Sequence, residues 1–277
     1  MRLSNIFPIV CYSIPTVLHM VGIVLLYKSK GEELRNQRII TLNLAVTEML
    51  YCLLNVINSF VYLLESSVPF AFSVTMHCIF AALFCIIRFA YLHIIVDRFL
   101  DIRLNIKYPL YMSSKKMKVI IASQWILGFI ITVTIMLLTF FNVSKQGTAS
   151  TASFYLDIII LIVAVSNFIY LFVKVKSIAN EDTRHGRVQN RTRNIWFRFK
   201  VPVLMILTFI VFNVSAGIWY YLDPKVVEDE KNYAHTLLRI FGWSSDAVIY
   251  IFLQKRVRGM LVLNCCRGAN ENRVAVI

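Results

Sequence analysis

Seven apolar stretches of about 20 residues or more constrain this chain more than any other feature. They run over 6–27, 39–64, 74–98, 119–141, 154–173, 201–222 and 234–253. Each is long enough for the roughly 30 Å hydrocarbon core of a bilayer. At that depth a backbone must satisfy its own hydrogen bonds. That leaves helices or a closed barrel, and a barrel needs many shorter alternating strands. The lengths therefore predict an all-α membrane protein, a single seven-transmembrane-helix bundle spanning residues 1–277. Composition agrees: 16% of the residues are charged, against roughly a quarter in soluble domains. The first span is too long for the apolar core of a cleaved signal peptide and reads as an uncleaved helix.

The net charge of +14 is unevenly spread. Of 29 Lys and Arg residues, 23 lie in the loops after the first, third and fifth spans and in the tail, Arg98 at the end of the third span being counted with the loop that follows. The N-terminus and the remaining loops hold four, and Arg88 and Arg239 lie inside spans. The positive-inside rule then predicts an outside N-terminus and a cytoplasmic tail. The basic surface faces anionic membrane lipid and whatever docks there, so no nucleic acid is expected as a partner. Residues 254–264 read as a short amphipathic eighth helix and 265–277 as a tail, with Cys265 and Cys266 placed for palmitoylation rather than as plain cytosolic thiols. Asn142-Val143-Ser144 is a sequon in an outer loop, so Asn142 is a glycosylation candidate. The terminal Val274-Ala275-Val276-Ile277 suits a PDZ-type partner. Neither HExxH nor GxSxG nor a cysteine–histidine pattern occurs in a sensible place, and no enzyme is expected.

Ionisable residues at membrane depth are costly and usually face a protein interior. Glu48, Arg88 and Asp246 fall near mid-membrane and are expected to form a buried polar network. Arg88 would be its cation, since two unpaired buried carboxylates tend to take up protons. A structural network joining three helices is the alternative. His93 reads as a core residue bonded to a neighbour. The outer half offers Phe80, Phe84, Asp157, Tyr220, His235 and Arg239, an aromatic ligand pocket with both charge signs. Arg239 would hold a ligand carboxylate or pair with a neighbouring acid. The acidic Glu228-Asp229-Glu230 loop reads as solvated charge.

Six local motifs fall in order along the spans. Asn43-Leu44-Ala45-Val46-Thr47-Glu48 lies in the second, and Asp97-Arg98-Phe99 ends the third. Trp125 begins the fourth, and Tyr170 lies at the inner end of the fifth. Asp246-Ala247-Val248-Ile249-Tyr250 lies in the seventh, and Cys265-Cys266 follow it. Together they resemble the NLAxxD, DRY, fourth-helix tryptophan, fifth-helix tyrosine, NPxxY and palmitoylated-cysteine features of the rhodopsin-like (class A) G-protein-coupled receptors. The resemblance covers nearly the whole chain and marks it as a divergent orphan member. It implies a plasma-membrane receptor that transduces an extracellular ligand to a heterotrimeric G protein, with arrestin-type partners also possible. Arg98 would rest against Asp97 when inactive and face the G protein when active, with Tyr170 and Tyr250 swinging toward it. In relatives the second-helix acid and its seventh-helix partner help hold sodium, which stays open here. No other cofactor is expected.

The departures are specific. The sixth-helix FxxCWxP pattern stands as Phe209-Ile210-Val211-Phe212-Asn213-Val214-Ser215, without its tryptophan and proline. The fifth helix lacks its proline. The third-helix disulfide cysteine falls at about Ser73, so the usual outer disulfide cannot form. Phe80 stands at the amine-binding acid position, so a monoamine is disfavoured. The retinal lysine position falls near Ile240 and this span has no lysine, so bound retinal is not expected. Two rival readings follow: a non-coupling receptor-like partner protein, and a small transporter or channel using Glu48, Arg88 and Asp246.

Overall fold

The structure, a computed structural model, describes residues 3–28, 35–64, 68–104, 107–140, 148–184, 201–222 and 233–253. It is built of long helices: α1 Leu3–Lys28, α2 Arg35–Leu64, α3 Phe70–Leu104, the single turn α4 Tyr108–Tyr111, α5 Ser114–Phe140 and α6 Thr148–Arg184. Next comes α7 over 201–222, helical at 201–208, π-helical at Phe209–Val214 and α-helical again at Ser215–Leu222. The last is α8, Tyr233–Leu253. Six of these helices are long and apolar enough to cross a membrane, which makes this a multi-pass membrane protein.

Several helices overrun the apolar spans. α3 continues to Leu104 and α6 to Arg184, because charged residues continue a helix in water as readily as apolar ones do in lipid. The predicted eighth helix at 254–264, the tail at 265–277, Asn142, Cys265 and Cys266 lie outside the described residues. So does the Glu228–Glu230 loop.

The exterior of the bundle, unlike that of a water-soluble protein, is largely apolar. On α1, Val10, Ile14, Val17, Val21 and Val24 are exposed, at the three- and four-residue spacing of one helix face. The opposite face buries Tyr12, Thr16, His19 and Leu26. α5 and α6 likewise turn Phe129, Ile130, Ile162, Ile169 and Phe172 outward. Lipid tails solvate these side chains, so little hydrophobic force holds the helices together; packing and polar contacts must do so. Pro8 and Pro15 stay inside α1. Membrane helices tolerate proline because local geometry and neighbouring groups adjust; separately, the Ser13 and Thr16 hydroxyls donate at 2.7 Å to the Ile9 and Tyr12 carbonyls.

α3 is the central helix and packs on α2, α5 and α6, while α1 lies along α2 and α8. Trp125 Nε1 donates to Asn43 Oδ1 at 2.9 Å, tying α5 to α2. His93 Nδ1 is 3.3 Å from Gln124 Nε2, a neighbouring α5 side chain. The cysteines Cys11, Cys52, Cys78 and Cys85 are free thiols.

In α7 the π turn includes Asn213, where the resemblance expects tryptophan, and ends just before Ser215, the proline position. A π turn adds one residue to a helical turn and re-aims the side chains that follow, and such turns concentrate at functional sites. Gly242 of α8 lies against it. A Cβ there would stand 3.0 Å from Phe212 Cβ and 3.2 Å from Asn213 Nδ2. Glycine at 242 therefore sets how closely α8 approaches α7.

Candidate functional site

One face of α3 carries Phe84, Arg88, Tyr91 and Arg98 at intervals of four, three and seven residues. Three layers of polar contact stack along it.

At the Arg98 end, Asp97 and Arg98 are both buried. Arg98 Nε donates to Asp97 Oδ2 at 3.0 Å, its Nη2 donates to the same oxygen, and Nη1 reaches Asp101 Oδ2 at 3.3 Å. The Tyr108 hydroxyl, presented by the turn α4, donates to Asp97 Oδ1. Burial first, then the adjacent Asp97 carboxylate, raises the Tyr108 phenol above its ordinary pKa, so it keeps its proton and its donor role. Asn36 of α2 anchors this turn. It donates to Met112 O at 2.6 Å and to the Tyr108 hydroxyl at 3.4 Å, and accepts from Ser114 Oγ at 3.3 Å. The Phe99 and Tyr170 rings pack in a tilted contact with centroids 5.1 Å apart, joining α3 to α6. A small recess beside Arg98 is lined by Phe99, Asn167, Pro202 and Ile206.

The middle layer joins five helices, α1, α2, α3, α7 and α8. The Tyr91 hydroxyl lies 3.0 Å from Glu48 Oε1 and against Asp246 Oδ2. Its single proton serves one carboxylate at a time. Thr208 Oγ1 is 2.6 Å from Asp246 Oδ1. On the other side His19 Nδ1 is 2.5 Å from the Tyr250 hydroxyl, and its Nε2 is 3.6 Å from Glu48 Oε2. All five titratable groups are fully buried. Gly22 of α1 leaves room for the Tyr250 ring: a Cβ there would lie 2.2 Å from Cε2.

The third layer departs from the expected network. Arg88 does not join Glu48 and Asp246. Its Nε and Nη2 donate to Asp157 Oδ1 and Oδ2, both at 2.6 Å, and Nη1 donates to Phe84 O at 3.2 Å. The reason is geometric: a bidentate carboxylate matches the guanidinium fork, and Asp157 on α6 faces Arg88, while Tyr91 fills the space beside Glu48 and Asp246. Asp157, expected among the pocket residues, is thereby the counter-ion of Arg88. The two arginines share Phe84, with guanidinium carbons 3.5 Å (Arg88) and 4.4 Å (Arg239) from its ring centroid. Tyr51 packs on Phe80 at 5.4 Å, on Phe84 at 5.8 Å and on Trp243 at 4.9 Å. The side chains of Tyr220 and His235 lie outside the described ones.

The sequence reading missed Tyr91, His19, Thr208, Tyr108 and Asn36. Two of them had a signal. His19 is an ionisable residue inside an apolar span, by the same rule that picked out Arg88. Tyr91 shares the helical face of Arg88 and Arg98. Nothing in the local sequence marks Thr208 or Asn36.

Compared with known families, residues 19–150 match 7 transmembrane receptor (rhodopsin family). This stretch runs from His19 through the first residues of α6, just under half of the chain. No curated protein matches the chain.

Proposed function

Taking as premise a class A receptor-like chain, matched to the rhodopsin family over residues 19–150, we propose that it is a plasma-membrane G-protein-coupled receptor. It would have seven spans, an outside N-terminus and a cytoplasmic Arg98 end. The observation that carries this reading is the closed arrangement around Arg98. The guanidinium is buried against Asp97, and Asp97 is capped by Tyr108.

Such an arrangement is a two-state element. Closed, Arg98 spends its donors on Asp97 and Asp101. Open, the same donors face the G protein, and Tyr170 and Tyr250 follow toward it. A ligand shifts the balance only through its different affinity for the two states. The middle layer couples this end to the ligand side, because Tyr250 is held by His19 and Asp246 by Tyr91 and Thr208. The oxygens of Glu48, Asp246 and Thr208 suit sodium, a hard cation that takes oxygen ligands, and would hold it. Bound there, it would take the place the Tyr91 hydroxyl holds against the two carboxylates and supply positive charge to them. Palmitate on Cys265 and Cys266, a glycan on Asn142, and arrestin-type or PDZ-type partners belong to the same reading.

The test is ligand-free coupling in cells, with the chain and Arg98→Ala at matched surface levels and second messengers read across the main G-protein subtypes. The expected result is a basal signal that Arg98→Ala abolishes. Silence from the chain and from a Tyr108→Phe variant favours the non-coupling partner protein. The run of buried titratable groups from His19 through Glu48 and Tyr91 to Asp246 supports a transporter or channel as second reading; a flux of protons or ions lost in Glu48→Gln would establish it.

A further inference from the structure

Resting on the receptor reading, we propose that the ligand is a small carboxylic acid with an apolar body. Its carboxylate would be received in the third layer, by donors of α7 and α8 gathered around Gly242.

The argument begins with charge. Among the described residues the acid of this layer is Asp157, and Arg88 takes both of its oxygens. Arg239 therefore stands as a second guanidinium without a carboxylate of its own. Its Nε is buried and makes no hydrogen bond. Its contact is the face of Phe84, which attracts a cation but satisfies no N–H.

Two more buried donors in the same region share this condition. Asn213 Nδ2 and Trp243 Nε1 make no hydrogen bond, and both residues are at least nine-tenths buried. Register puts the three within about one helical turn, with the Trp243 ring packed on Tyr12 and Tyr51. Arg239, Gly242 and Trp243 lie on one face of α8, three and four residues apart. Asn213, in the π turn of α7, abuts Gly242, where a Cβ would come within 3.2 Å of Nδ2.

A guanidinium N–H and an indole N–H of α8, four residues apart, and a carboxamide N–H of α7 beside Gly242 thus lie within about one helical turn of one another along the chain register. A buried unsatisfied donor costs about 1–3 kcal/mol, more for a charged one. Three donors in one layer, one of them cationic, call for a partner that only accepts and carries negative charge. A carboxylate has two oxygens and about four acceptor positions. The surrounding rings of Tyr12, Tyr51, Phe80 and Phe84 suit an aliphatic or aromatic body rather than a polyhydroxylated one. An amine is excluded by the positive charge of Arg239.

The experiment measures thermal unfolding of the purified full chain in detergent, which needs no G protein. The probes are straight-chain C4 to C12 monocarboxylates and arylacetates, each beside its methyl ester. The expected result is that at least one acid raises Tm in a saturable way and its ester does not. Arg239→Met should weaken that acid at least about tenfold, and Arg239→Lys, which keeps the charge, should weaken it less. Asn213→Leu, which removes a neutral donor, should weaken it by a smaller factor. The proposal is overturned if no acid shifts Tm, if esters act as well as acids, or if Arg239→Met binds like the unaltered chain. Should acids bind while the coupling assay stays silent, the receptor reading fails and this one stands.

Discussion

Arg88 and Arg98 lie ten residues apart on α3, about 15 Å along its axis, and each is buried against an aspartate. The partners differ in kind. Asp157 belongs to another helix and holds Arg88 by two oxygens at 2.6 Å. Asp97 is the preceding residue of the same helix, and a tyrosine from the turn α4 completes its shell. The first pair ties α3 to α6, and neither charge can leave without exposing the other to apolar surroundings. The second can exchange partners while α3 stays intact, since the aspartate keeps Tyr108. A helix that must stay anchored at one level and release at another needs both kinds of pair.

Breaking the anchor should have the largest effect. Arg88→Met leaves Asp157 buried without a partner, at a cost of about 3–5 kcal/mol. Surface expression and Tm should both collapse. Replacing both residues, Arg88→Met with Asp157→Leu, should recover much of the loss, because an apolar pair of similar volume often matches a buried ion pair. If the single variant expresses and unfolds normally, the contrast between the two arginines is gone.

The releasable end should respond differently. Tyr108→Phe removes one hydrogen bond to the Asp97 carboxylate, about 1.5–3 kcal/mol for a charged acceptor. It should lower Tm by a few degrees, far less than Arg88→Met does, while raising the basal signal several-fold, read at matched surface levels. A fall in Tm without a signal change would make Tyr108 a structural prop.

Between the two levels sits the His19–Tyr250 contact. Gly22→Ala puts a methyl 2.2 Å from the Tyr250 ring. Relief of such crowding costs about 1–3 kcal/mol and moves the ring off His19. The basal signal should change with only a modest loss in Tm. An unaltered signal would detach α1 from the switch.

Much of the bundle was legible from the chain alone. Lipid imposes length and apolarity on any spanning segment, so the spans and the elements in which they lie follow from local composition. The Asp97–Arg98 pair was likewise legible, since its two members are neighbours in the chain. Partner choice at depth was not local. Arg88 is 69 residues from Asp157, and Tyr91 is 155 from Asp246. Which carboxylate meets which cation depends on the rotation of each helix about its own axis, and composition does not encode that rotation. Packing fixes it, through features such as the contact of Gly22 with Tyr250 and of Gly242 with the π turn. The sequence by itself therefore determined a membrane-spanning helical protein with charges inside. Only the tertiary structure decided that Arg88 takes Asp157, that Tyr91 sits with Glu48 and Asp246, and that Arg239 is left with no carboxylate of its own among the described residues.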